Sequence, residues 1–102
     1  MTTAIIQFRL PPGAPTDAVK NGFHEAAPFF RGPPGLLRKY FLLSEDGAIG
    51  GGVYLWDSPQ RARDFSEATV RPMIKQKFNV DPAITYFETP VVVDNVSSQI
   101  LS

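Results

Sequence analysis

The stretch GLLRKYFLLSEDGAIGGGVYLW, residues 35–56, decides the architecture. Asp46-Gly47 is a favoured two-residue hairpin turn, because glycine takes a positive φ without the clash a Cβ would bring. The apolar and β-branched runs on either side of it predict two antiparallel strands, about residues 36–44 and 49–57. A turn at that point pairs Phe41 with Gly52, Lys39 with Tyr54 and Leu37 with Trp56, which places these six on one face. Leu36, Arg38, Tyr40, Leu42, Val53 and Leu55 then occupy the other. Both faces are mostly apolar, so a second copy of the chain is expected to cover one of them. Gly50 and Gly52 leave room beside Phe41, Tyr54 and Trp56; strand glycines read either as a ligand recess or as space filled by a neighbour or a bulge.

Outward from the hairpin, residues 3–10 (TAIIQFRL) predict a first strand that stops at Pro11-Pro12-Gly13. Thr16 and Asp17 are expected to cap and charge a helix with Val19, Phe23, Ala26, Ala27 and Phe30 on one stripe, ended or kinked by Pro28. Gly32-Pro33-Pro34-Gly35 is a stiff loop into strand two. Ser58-Pro59 starts the next helix with a hydroxyl cap and a proline at its first position. Ala62, Phe65 and Thr69 mark its buried side. Thr69 is expected to cap a second segment with Val70, Met73, Ile74 and Phe78 as its stripe, giving a broken helix. Residues 83–89 form strand four, Pro90 interrupts it, and 91–102 are expected as an extended tail.

The order β-α-β-β-α-β gives an α+β fold of the ferredoxin-like, split βαβ kind. It is a four-stranded antiparallel sheet in the order 4-1-3-2 with both helices on one face. Strand two is an edge rich in Leu36, Leu37, Tyr40, Phe41, Leu42 and Leu43, and the second sheet face is out of reach of the helices. Two sheets packed face to face would cover both, so a homodimer, a dimeric α+β barrel, is expected.

At 102 residues the chain suits a single domain over 1–102. Ten basic side chains balance ten acidic ones, which gives no electrostatic ground for nucleic acid or an anionic membrane as partner. No window approaches the roughly 20 apolar residues of a membrane span. The opening MTTAIIQFRLPP reads as a strand, not a secretion leader, so a cytoplasmic location is expected. One histidine and no cysteine supply no metal-ligand set. There is no Gly-x-Ser-x-Gly elbow, Gly50-Gly51-Gly52 lacks the lysine and helix of a phosphate loop, and no parallel βαβ unit exists for a nucleotide. No cofactor and no metal are therefore expected.

Gly-Pro-Pro-Gly-Leu-Leu-Arg-Lys-Tyr over residues 32–40, Gly-Gly-Val-Tyr-Leu-Trp over 51–56, Ser58 entering a helix, and Pro-Val-Val-Val-Asp-Asn over 90–95 give the chain a resemblance. It resembles the YdhR-type monooxygenase family of the dimeric α+β barrel group, alongside the antibiotic-biosynthesis monooxygenases. The resemblance spans nearly the whole chain and implies the same dimer and an oxidation by dioxygen without a cofactor, acting on a small aromatic or polyketide-like substrate.

Such chemistry needs a base or cation to favour a substrate anion, aromatic walls and exclusion of water. Lys39, Tyr54 and His24 are the candidate catalytic residues; Trp56, Phe41, Arg38 and Arg9 are the candidate substrate-binding ones. Gln7 is expected beside Arg9 on the same face, and Arg71 is expected in solvent. Each has a structural alternative. His24 lies off the apolar stripe and reads as a rim histidine, Tyr54 and Trp56 read as core or interface aromatics, and Lys39 either pairs with a carboxylate such as Glu88 or meets a ligand. A dimeric module that binds a hydrophobic molecule or a partner protein without turnover is the alternative function. A haem-degrading relative is a third, with His24 as the one available imidazole.

Overall fold

The computed structural model describes residues 1–102. The chain runs β1 (Thr2–Arg9), α1 (Thr16–Ala26), a 3-10 turn (Ala27–Arg31), β2 (Leu36–Leu43), β3 (Ile49–Trp56), α2 (Pro59–Phe65), a π-turn (Ser66–Val70), α3 (Arg71–Phe78), β4 (Ala83–Glu88), β5 (Val92–Asp94) and β6 (Gln99–Leu101). The first four strands form one antiparallel sheet in the order β2-β3-β1-β4, the ferredoxin-like arrangement expected from the sequence. Alternation along β1 sends Thr2, Ala4, Ile6 and Phe8 into the core beneath the helices, with Tyr54 and Trp56 of β3 beside them. From the helix side come Ala62, Val70 and Ile74. No helix is long and apolar enough to cross a membrane.

The hairpin register is the expected one at its turn end, with Phe41 opposite Gly52 and Lys39 opposite Tyr54. It changes at the far end, where a bulge between Leu36 and Arg38 puts Leu36 opposite Trp56. Leu36 therefore packs on the core and Leu37 is exposed, the reverse of the regular alternation. Gly35, with φ of 84°, sets up this entry into the strand. Gly51 lies so close to β1 that a Cβ there would run into the Ile6 carbonyl.

Three local expectations are corrected. Helix α1 is preceded by Pro15 in an extended conformation, and no side chain caps it; Asp17 lies in the first turn, and Thr16 is the first helical residue instead of its cap. The second helix does not break. It winds continuously through the π-turn, and Thr69 caps nothing. Pro72 has no N–H for the Ala68 carbonyl and its ring would press on that group, so the wider turn just before it relieves the conflict. Ser58 does cap α2, accepting from the Arg61 N–H at 3.2 Å, with Pro59 behind it. The C-terminal residues are not simply extended: β5 and β6 form a small hairpin whose turn is held by Asp94 accepting from the Val96 and Ser97 N–H groups.

The sheet face away from the helices exposes Tyr40, Leu42 and Phe87. The C-terminal hairpin is tied to this face by an ion pair between Arg38 and the buried Asp94. Arg38 holds the Asp94 carboxyl down to about 2.

Candidate functional site

Lys39 and Tyr54, directly opposite on neighbouring strands, point to the helix side of the sheet, where the Lys39 Nζ donates to the Tyr54 hydroxyl at 2.6 Å. Three aromatic faces surround the same nitrogen, with ring centroids at 3.6 Å for Phe30, 4.0 Å for Phe41 and 4.2 Å for Tyr54. Phe30 reaches this place because Pro28 turns the end of α1 into a 3-10 turn that folds back over β2 and β3. Its ring stands edge-on to Phe41 and Tyr54, at 5.6 Å and 6.0 Å.

No carboxylate pairs with Lys39; the ion pairs of the molecule all lie elsewhere. Glu88, considered as its partner, sits opposite Thr2 on β4, the far edge of the sheet. Burial without a counter-charge favours the neutral amine and pushes Lys39 down to about 7. The ring faces pull the other way, by about 2 kcal/mol for a desolvated cation, and the net direction is downward. Burial also pushes the Tyr54 phenol well above its usual value. Near neutral pH the site therefore holds an amine able to accept a proton beside a phenol that keeps its own.

Both groups line a cavity of about 90 Å³ between the sheet and the helices. Ile6, Phe8, Phe41 and Gly52 form its floor, Phe23, Ala26 and Phe30 one wall, Val70, Ile74 and Phe78 the other, with Met73 and Lys77 at the exposed rim. Lys39 and Lys77 are the charged residues of the lining. The space beside Gly52 is shared with the site's own side chains, since a Cβ there would lie 3.0 Å from the Tyr54 ring and 3.4 Å from Lys39 Cε. Gly50 admits Phe8, whose ring would lie 3.0 Å from such a Cβ. Two grooves lie outside the cavity. One, of about 420 Å³, runs along β2 past Arg31, Leu36, Leu37 and Arg38 and also touches Phe30 and Lys39. The other, of about 390 Å³, is bordered by Lys20, Phe23, His24 and Ala27. Phe41 borders all three spaces, and stands between the interior and the outside together with Phe30 and Lys39 on the first groove and Phe23 on the second.

Of the residues singled out in the sequence, Lys39, Tyr54 and Phe41 come together here. Trp56 does not: it is 1% exposed, packs 5.3 Å from Phe65, and its indole N–H has no partner. His24 is exposed in the last turn of α1 and borders only an outer groove. Arg38 points to the opposite sheet face and is engaged by Asp94. Arg9 is also on that opposite face, paired with Ile49 and exposed, and Gln7 shares its side. Arg71 is held by Glu67 at 2.8 Å and Asp81 at 2.6 Å instead of standing free in solvent. The contributions of Phe30 to the cage and of Met73 and Lys77 to the rim were not foreseen. The helical stripes had marked Phe30 and Met73 as core positions, whereas Lys77 carried no signal.

No protein-family model and no curated protein matches the chain. Solved structures do match it. A protein of unknown function from Nitrosomonas europaea superposes with a TM-score of 0.70 at 13% identity, over 89% of this chain and 90% of that one. A monooxygenase from the ActVA-Orf6 gene of Streptomyces coelicolor, in complex with nanaomycin D, gives 0.65 at 19% identity, with 86% of each chain covered. A variant of MhuD with two manganese protoporphyrin IX molecules per active site gives 0.68 at 17% identity, over 93% of this chain and all of that one. At these identities the likeness is one of fold: the chain is built like the antibiotic-biosynthesis monooxygenases.

Proposed function

We propose that the chain is a cofactor-independent monooxygenase of the YdhR type that oxidises a small hydroxyaromatic compound with dioxygen and works as a homodimer. The observation that carries this reading is the Lys39 amine, buried without a counter-charge, bonded to Tyr54 and facing an apolar cavity. In this role Lys39 takes the proton of the substrate hydroxyl, Tyr54 donates to the resulting oxyanion, and the Phe30 and Phe41 rings hold the aromatic body. The electron-rich anion then reduces dioxygen itself. One oxygen atom bonds to a ring carbon, the other leaves as water with the hydroxyl hydrogen and the displaced ring hydrogen, and a quinone results without an external reductant.

Size bears on the substrate. A cavity of about 150 Å³ admits benzene, and this one is smaller at about 90 Å³. Even a single-ring hydroxyarene therefore needs Phe41 to swing aside, and a second ring needs the space of the outer grooves as well. The dimer rests on the apolar side chains left exposed on the open sheet face. Haem fits poorly, since His24 lies outside the cavity and a porphyrin exceeds its volume. A binding module without turnover is the second reading, favoured by the absence of any carboxylate or imidazole from the cavity lining.

Oxygen uptake with single-ring and two-ring hydroxyarenes tests the proposal. Uptake above buffer that falls about 10²-fold or more in Lys39→Met, the range of general-base contributions, supports it. Uptake unchanged in Lys39→Met sinks it, and a ligand that raises the melting temperature without consuming oxygen points to binding alone.

A further inference from the structure

We propose that Lys39 captures carbonyl compounds, forming an imine with small aldehydes or ketones that enter the cavity while Tyr54 relays the protons. The geometry has the parts such a step needs. Lys39 lines both the cavity and the groove along β2, so its side chain borders open space on two sides. The Tyr54 hydroxyl at 2.6 Å is close enough to hand a proton to the carbonyl oxygen as the amine lone pair bonds to the carbonyl carbon. The nitrogen returns a proton to the tyrosine oxygen, giving a carbinolamine. In the second stage its hydroxyl takes the Tyr54 proton and leaves as water, and the last N–H proton restores the phenol. Amine and carbonyl become imine and water, with nothing oxidised or reduced.

The surroundings favour both ends of this sequence. The charged groups nearest the amine are Lys77 across the cavity and Arg31 along the groove, both cations, while Arg38 borders that groove from the opposite sheet face and is engaged by Asp94; no carboxylate pairs with the amine to hold it protonated. Burial without a counter-charge leaves a large share of it neutral near pH 7, which is the state that attacks. When it takes up a proton, the imine would lie over the faces of Phe30, Phe41 and Tyr54, as the ammonium does. The cavity volume restricts the carbonyl partner to a few carbons.

The step consumes no oxygen, so it is tested apart from the oxidation reading. The whole protein is incubated anaerobically at pH 7 with propanal and cyanoborohydride, and the propylated sites are mapped by mass spectrometry of peptides. Propylation of Lys39 at least about tenfold faster than of Lys20, Lys75 or Lys77 at pH 7, with a Lys39 rate that levels off above pH 7 to 8, is the expected result. The reading is taken on the unmutated chain, so it does not depend on how a variant folds, and Tyr54→Phe should slow the Lys39 site alone. Label confined to the Met1 amine and the surface lysines, or a Lys39 rate that tracks theirs, overturns the proposal.

Discussion

Replacing Lys39 with methionine, an unbranched side chain one atom shorter, removes the charge from the aromatic cage, so the variant reads what burial of the amine costs. An unfolded lysine titrates near 10.5 and this one is pushed down to about 7. Above 10.5 neither state is protonated and the amine imposes no penalty. Between 10.5 and 7 the unfolded chain binds a proton that the folded chain refuses, so stability falls as the pH is lowered, by about 1.4 kcal/mol per pH unit. Below 7 both states are charged and the penalty is constant, at most about 5 kcal/mol for the full span. Methionine has no such dependence. The difference in unfolding free energy between Lys39→Met and the unmutated chain is therefore expected to be level below pH 7. It should shrink by about 2–3 kcal/mol from pH 7.5 to 9.5, with the variant the more stable at neutral pH. Urea midpoints at half-unit intervals measure it, at constant m. The window stops below pH 10 because the raised Tyr54 phenol then acts in the opposite sense. A difference that stays constant from pH 6 to 9.5 would refute the buried-amine account and with it the base role of Lys39.

Four further outcomes are expected. Gly35→Ala should destabilise by about 1–3 kcal/mol, because the residue sits at φ 84° and a Cβ there meets Asp57 and Arg61; an unchanged urea midpoint would contradict this. Phe41→Ala should speed the entry of a two-ring hydroxyarene about tenfold, a factor worth about 1.4 kcal/mol in the barrier, as seen by stopped-flow fluorescence; an unchanged rate would show that the ring does not bar the way. The Asp94 carboxyl is depressed by Arg38, so its contribution is complete above the ordinary carboxylate value and is lost as the pH falls through about 2. Residues 91–102 should then become open to pepsin below about pH 4, and Arg38→Met should open them to proteases at neutral pH; equal protection in both proteins would remove the ion pair as the tie. Dilution over several decades should lower the melting temperature as the dimer dissociates, and a concentration-independent melt would argue for a solitary chain.

The sheet was legible because its signals are local and reinforce one another. Asp46-Gly47 pins one end of the hairpin, and alternation carries the register as far as Lys39 and Tyr54. Each further pair assumes that no residue is inserted, and the bulge at Leu37 violates that assumption where the Pro33-Pro34-Gly35 loop dictates how the chain enters β2. The face of Arg9 could have been read correctly. Ile6 and Phe8 share the parity of the core, so their neighbours Gln7 and Arg9 had to point the other way. The cage was half legible: two of its rings and the lysine lie on the hairpin, whereas Phe30 arrives through a proline-driven change of helical winding whose exit direction no periodicity reports. Trp56 looked like a binding aromatic because its size suits either role, and only the packing of Phe65 against it decides for the core.

The widened turn at Ser66–Val70 has the signature of a single-residue insertion absorbed without loss of the fold. At about 100° per residue, an unbroken α-helix would set Ile74 about a third of a revolution away from Ala62, and the two would face different neighbours. Spreading one extra residue through the looser winding returns them to the same wall, where both are buried. A chain shortened by Ala68 would keep Ile74 on that wall but would press the Pro72 ring against the carbonyl four residues before it. Lengthening it by one more residue would rotate Ile74 and Phe78 off the cavity, so the helix is held to its length from both sides.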